Sequence, residues 1–194
     1  MVKREGRECA VERGGMSAKG AGFALALAAI ALAVRADNRP PQVQACIVLA
    51  TDAVHAGSKV KMAVVAEVPP GFHINDHNPT LEYLIPTEIK ITASTPLSVE
   101  SVFYPRGDPR KFTFEDKPLS VYAGTVVIGA LLEVSTSAAP GEYSLQGKIS
   151  YQACNDQACF PPASAPVTLK VKVVGEKVRL KPVNQDVFRR ASFK

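Results

Sequence analysis

The chain has 194 residues, with 23 Lys or Arg against 18 Asp or Glu, four cysteines and no tryptophan. Six of the basic and three of the acidic residues fall within the first 36, which leaves 17 and 15, a charge of about +2, for the remainder. That balance gives no support to nucleic-acid binding, and the remaining length suits one domain with its own core.

Residues 1–15 are polar and charged, include Cys9 and show no period. From Met16 a basic start leads into an apolar run, Phe23 to Val34, and then Arg35-Ala36-Asp37. This is the layout of a secretory signal peptide cleaved after Ala36. A start at Met16 would make the first fifteen residues an extension, and processing would remove Cys9. The run is shorter than the ~20 residues of a membrane span, so no stable insertion is expected after processing. An uncleaved anchor over residues 1–36 is the alternative. Residues 37–42, with Arg39-Pro40-Pro41-Gln42, read as an extended linker.

Residues 43–50 and 59–68 read as strands joined by a polar turn. Cys46 lies in the first and reads as a small buried hydrophobe, with a second redox role as the alternative. Pro69-Pro70-Gly71 turns into Phe72-His73-Ile74-Asn75, where alternation puts His73 and Asn75 on one face and Phe72 and Ile74 on the other. His77 follows on a looser stretch. Residues 80–85 show little pattern, whereas 87–92 alternate cleanly and 97–104 form a further strand. Residues 105–118 then read as a long polar loop carrying Phe112 and Phe114, of the kind often functional in compact β domains. Its Arg106-Gly107-Asp108 triplet is read as chance. Residues 121–134 form an apolar strand region broken near Gly124 and Gly129. Among the remaining residues no thioredoxin domain, multi-span region or internal repeat is evident.

Two strand-like flanks, 143–152 and 165–174, enclose Cys154-Asn155-Asp156-Gln157-Ala158-Cys159. The polar residues between the cysteines suit a turn. A hairpin with Cys154 and Cys159 facing each other near its tip can meet the geometry a disulfide requires. A staple is the commoner fate of such a pair in secreted proteins. A loop this short, however, constrains the unfolded chain by only about 2 kcal/mol. Pro161 and Pro162 push the preceding residues toward extended conformations, so Cys159 does not open a helix. Without a helix dipole, a dithiol near the free value of about 8.5 is a sluggish general reagent, suited to docked partners. Staple and redox pair both stay open on spacing alone.

Tyr151-Gln152-x-Cys154 followed by Cys159-Phe160-Pro161-Pro162 resembles the active-site hairpin of the amino-terminal periplasmic domain of DsbD, the thiol:disulfide interchange family. Members usually carry Tyr-Gln-Gly-Cys, a short polar loop and Cys-(Tyr/Phe)-Pro-Pro. Here Ala153 replaces the glycine, and the cysteines are one residue closer than in the best-known member. The resemblance extends over residues 43–174, with the hairpin its specific part. It implies an all-β, immunoglobulin-like β-sandwich over 43–175, an active-site hairpin at one end and a cap loop over it; residues 176–194, basic and without strong periodicity, read as a partly ordered tail. Regularly spaced short strands without an amphipathic helix point the same way.

The resemblance implies that Cys159 attacks a partner disulfide and Cys154 resolves the mixed disulfide. In the cap loop, Phe114 is the nearest match to the shielding aromatic and Phe112 the second, with Glu115 and Asp116 beside it. Carboxylates there would raise a thiol pKa. His73 and Asn75 match positions whose side chains reach toward the cysteines, and Tyr151 and Phe160 complete the supporting set. The expected function is a periplasmic protein-disulfide reductase or relay with no cofactor. Its expected partners are a membrane thiol electron carrier, DsbD transmembrane or CcdA-like, and periplasmic thioredoxin-fold proteins. The alternatives are a copper or zinc carrier using Cys154, Cys159, His73 and His77, and a passive stapled module.

Overall fold

Strands dominate because β-branched and aromatic residues alternate with polar ones over most of the chain. The computed structural model describes residues 41–113 and 115–194. The expected export signal within residues 1–36, Cys9, residues 37–40 and Phe114 lie outside the described residues. The strands are β1 (Gln44–Leu49), β2 (Val54–His55), β3 (Lys59–Glu67), β4 (His73–Asn75), β5 (Glu88–Ala93), β6 (Leu97–Phe103), β7 (Asp108–Phe112), β8 (Glu115–Tyr122), β9 (Thr125–Val134), β10 (Gly141–Tyr151), β11 (Ala153–Cys154) and β12 (Ala163–Val174), followed by helix α1 (Gln185–Arg190).

One sheet has the order β1-β3-β9-β6 and a second the order β2-β12-β10-β5. Ile47, Met62, Val64, Leu132 and Val134 of the first meet Leu145, Val167, Val171 and Val173 of the second in a shared core. This is the immunoglobulin-like sandwich. A third sheet, β11-β4-β8-β7, carries Cys154 on β11. Ile74, Tyr122, Ile128, Ile149 and Tyr151 pack together beneath it. Among the described residues no helix is long and apolar enough to cross a membrane.

Four features depart from the sequence reading. Residues 105–118 are not an open loop, because β7 and β8 pair there as a hairpin. Pro109, Pro118 and a run of exposed charged residues hide its alternation. Gly129 does not break its strand: β9 runs straight through it. Cys46 is half-buried and disulfide-bonded rather than a buried thiol. The fourth is the basic stretch 176–194, which has no periodicity yet is fastened down as a strap. Lys181 N donates to Asp52 Oδ1 (2.9 Å), Val183 N to the Ala50 carbonyl (2.9 Å) and Asn184 Nδ2 to the Leu49 carbonyl (3.0 Å). Farther on, Arg190 donates to the Thr125 carbonyl, Phe193 packs on Phe103, and Lys61 Nζ lies 4.8 Å from the Phe193 ring centroid.

The strap explains why β3 and β9 are buried on both faces. Ala63 and Val65 point away from the sandwich core, opposite Gly129 and Val127; all four are buried, and Ala63, Val65 and Val127 are at most 5 % exposed. A Cβ on Gly129 would stand 2.5 Å from the Ser192 carbonyl oxygen and 3.1 Å from the Phe193 ring. Gly129→Val is therefore expected to lift the end of the strap and to cost about 1–3 kcal/mol through overpacking. Urea unfolding, with limited trypsin cleavage after Arg189 and Arg190, checks this. Unchanged stability and unchanged cleavage would contradict it.

Candidate active site: a disulfide hairpin under a lid

The site is built on one short ladder. In β4, His73 pairs with Cys154 and Ile74 with Ala153 of β11. On its other edge Ile74 pairs with Tyr122 and Asn75 with Val121 of β8. Residues directly opposite in an antiparallel pair share a face, with Cβ atoms ~5 Å apart. His73 and Cys154 thus lie side by side on one face, while Ile74, Ala153 and Tyr122 turn into the core. The alternation expected for Phe72 to Asn75 puts His73 on the sulfur side.

Cys154 and Cys159 form a disulfide, with Cα atoms 4.0 Å apart. Their environments differ: Cys154 is 1 % exposed, whereas Cys159 stands on the surface. The turn closes without help from the sulfurs. Asn155 Oδ1 accepts from the Gln157 and Ala158 amides (2.9 and 2.8 Å), and Phe160 N donates to the Ala153 carbonyl (2.8 Å). Gln152 Nε2 donates to the Phe160 carbonyl (3.1 Å), and Asn75 Nδ2 donates to the Ile85 carbonyl (2.9 Å) and, more weakly, to Gln152 Oε1 (3.5 Å). The Phe160 ring meets Phe72 edge-on at 5.8 Å. Tyr151 is buried below, and its hydroxyl accepts from Val43 N (3.1 Å).

His73 is 3 % exposed, and the Phe112 ring at the end of β7 stacks on it at 4.4 Å. Phe112 also packs against Leu84, Leu119 and Val121. The β7–β8 hairpin is thus a lid on the face that carries Cys154. Burial, and then the Arg110 guanidinium, hold the His73 ring below its ordinary pKa, while Asp156 pulls the other way. Glu115 is half-buried and accepts from the Tyr83 hydroxyl (3.2 Å); Asp116 is exposed.

The base of the lid is locked by Asp76, a residue the sequence reading passed over. Its carboxylate accepts from Tyr122 Oη (2.6 Å), Ser120 Oγ (2.7 Å), Gly107 N (3.1 Å) and Asn78 N (3.3 Å). Burial alone would raise the Asp76 pKa, but these donors outweigh it and hold the carboxyl below its ordinary range. Burial and the bond to Asp76 hold the Tyr122 phenol far above its usual value. Gly107 is forced by the same contacts, since a Cβ there would lie 2.6 Å from Ser120 Oγ. Beyond the base the ladder slips between Arg110 and Phe112, opposite Pro118, which has no N–H to offer. The signal for Asp76 was the buried Tyr122, whose hydroxyl needs a partner.

The metal alternative does not assemble. His77 stacks on Tyr104 at 3.6 Å and its Nδ1 bonds the Thr87 carbonyl (3.0 Å). Among the described residues no group of three or more His, Cys, Asp or Glu is placed to hold a metal ion.

No match to a curated protein was found. Among solved structures the chain is similar to the N-terminal periplasmic domain of ScsB from Proteus mirabilis, at 20% identity and TM-score 0.44, covering 69% of this chain and 47% of that one, so it spans about half that length. It is similar to the reduced DsbD N-terminal domain from Neisseria meningitidis, at 15% identity and TM-score 0.37, covering 64% and 86%. The complex between the DsbD and PilB N-terminal domains of the same organism aligns at 14% identity and TM-score 0.36, covering 62% and 79%. The family model described as "Thiol:disulfide interchange protein DsbD, N-terminal" matches residues 43–170, a span that holds the disulfide hairpin, β4 and the lid, and the chain belongs to that family.

Proposed function

We propose that the domain is a periplasmic thiol:disulfide relay that passes two electrons to docked proteins through the Cys154–Cys159 pair. The supporting observation is the asymmetry of the pair, one sulfur at the surface and one buried beside His73. In the reduced protein the Cys159 thiolate attacks one sulfur of a partner disulfide. That bond breaks, and the partner's other sulfur leaves as a thiolate and takes a proton from water. Cys154 gives its proton to His73, its ladder neighbour, and its thiolate attacks Cys159 Sγ. The mixed disulfide breaks, the second partner sulfur leaves and recovers the proton from His73, and the intramolecular disulfide remains. The partner gains two electrons and two protons. A membrane thiol carrier, itself oxidised in the exchange, runs the sequence backwards to regenerate the dithiol.

Gln152, Asn75, Phe160 and the Asn155 turn keep the two sulfurs within reach after the first attack, which raises their effective concentration for the second. Phe112, stacked on His73, covers the Cys154 side of the pair; Glu115 and Asp116 begin the second strand of the lid, and Phe114 is proposed to share the shielding role. A DsbD N-terminal domain is known in complex with a PilB N-terminal domain; the partners proposed for this chain are thioredoxin-fold proteins and the membrane carrier.

The test is trapping. Cys154→Ser leaves Cys159 able to attack but removes the resolving sulfur, so mixed disulfides should accumulate. Export with the signal intact, non-reducing gels and mass spectrometry of the linked species read the result. The reading predicts linkage through Cys159 that dithiothreitol releases. Finding no linked protein would count against it.

A further inference from the structure

We propose that His73 is a proton-operated latch, which keeps the tip of the lid closed while its ring is neutral and releases it when the ring takes up a proton. The latch rests on the relay reading for its purpose, but its parts are geometric. The ring is 3 % exposed, lies beside Cys154 in the ladder and is capped by Phe112 at 4.4 Å. Few groups around it would welcome a positive charge. From β7, Arg110 opposes it; from the redox turn, Asp156 favours it; on β11, Cys154 is tied in its disulfide and carries none. Glu115, the ladder partner of Phe112, accepts from Tyr83. The Phe112 face attracts a cation, whereas burial and the Arg110 guanidinium disfavour one.

A protonated ring therefore needs water, and lifting Phe112 admits it. The tip can lift alone, because the ladder slips between Arg110 and Phe112 while Asp76 fastens the base. The sign follows. The closed lid holds the ring below its ordinary value, so closure is at full strength above that value and weakens as pH falls through it. With the uncovered ring returned to the ordinary histidine range, the open-to-closed ratio one pH unit below that range rises by up to about tenfold. Asp76 stays ionised across this window, since its donors hold it below the ordinary carboxylate range. The base remains fastened throughout.

The test uses the full chain in its oxidised form, so that no thiol chemistry enters and failure of the latch is distinct from failure of the relay. Amide hydrogen exchange of residues 111–117 is compared between pH 7.5 and 5.5, with residues 108–110 and 119–121 as the reference for intrinsic rates. Exchange at the tip should rise by up to about tenfold relative to the base, and His73→Phe, which retains a ring, should abolish the rise. Should that variant not fold, NMR titration of the His73 ring in wild type and Phe112→Ala gives the second reading. Uncovering the ring should move its pKa up toward the ordinary value. A tip whose relative exchange ignores pH, a rise that survives in His73→Phe, or a ring that titrates alike with and without Phe112 would each overturn the latch.

Discussion

Serine in place of Cys159 is expected to lower disulfide exchange with protein partners by at least about a thousandfold. A serine hydroxyl does not attack a disulfide at neutral pH, and the one sulfur left is that of Cys154, which is 1 % exposed beneath the lid. A partner sulfur must approach in line with the attacking thiolate, and that approach is open at Cys159 alone. The same asymmetry orders alkylation of the reduced protein. Iodoacetamide should label Cys159 first and Cys154 roughly ten times more slowly, as read by mass spectrometry of quenched samples. Equal labelling of both sulfurs would remove the basis for assigning the attack to Cys159.

The second large effect falls on stability. Asp76→Ala leaves the Gly107 amide and the Ser120 hydroxyl without an acceptor in a site with little water, while Tyr122 retains the Pro105 carbonyl at 2.7 Å. The expected loss is about 2–4 kcal/mol, or on the order of ten degrees in melting temperature. The pH dependence has a definite sign. The folded carboxyl titrates below its unfolded value, so its contribution is complete above the ordinary carboxylate range and vanishes as pH falls through the folded value. Urea melts of wild type and Asp76→Asn should therefore converge in strong acid and stay apart at pH 7. Curves that run parallel over the whole range would assign the effect to packing.

The strands and the redox hairpin were legible because their signals are local. Alternation identifies 87–92, 97–104 reads as a further strand beside it, and Asn155 with its polar neighbours marks a turn between two cysteines. Phe72 to Asn75 alternate over only four residues, yet that suffices to put His73 on the sulfur side. What stayed hidden is carried by contacts distant in sequence. Asp76 meets Gly107, Ser120 and Tyr122 31, 44 and 46 residues away, and nothing around Asp76 itself announces them. The lid looked like a loop because Pro109, Pro118 and charged residues occupy an exposed edge hairpin, where no buried face imposes a period. Gly129 looked like an interruption, yet its missing side chain makes room for Ser192 and Phe193, two residues in a stretch without pattern.

The three residues of β4 have a consequence for heredity. Because sides alternate strictly along a strand, gaining or losing one codon between Phe72 and Asn75 would turn His73 inward and present Ile74 to the sulfurs. Over evolutionary time this segment can exchange its letters far more freely than it can change its length.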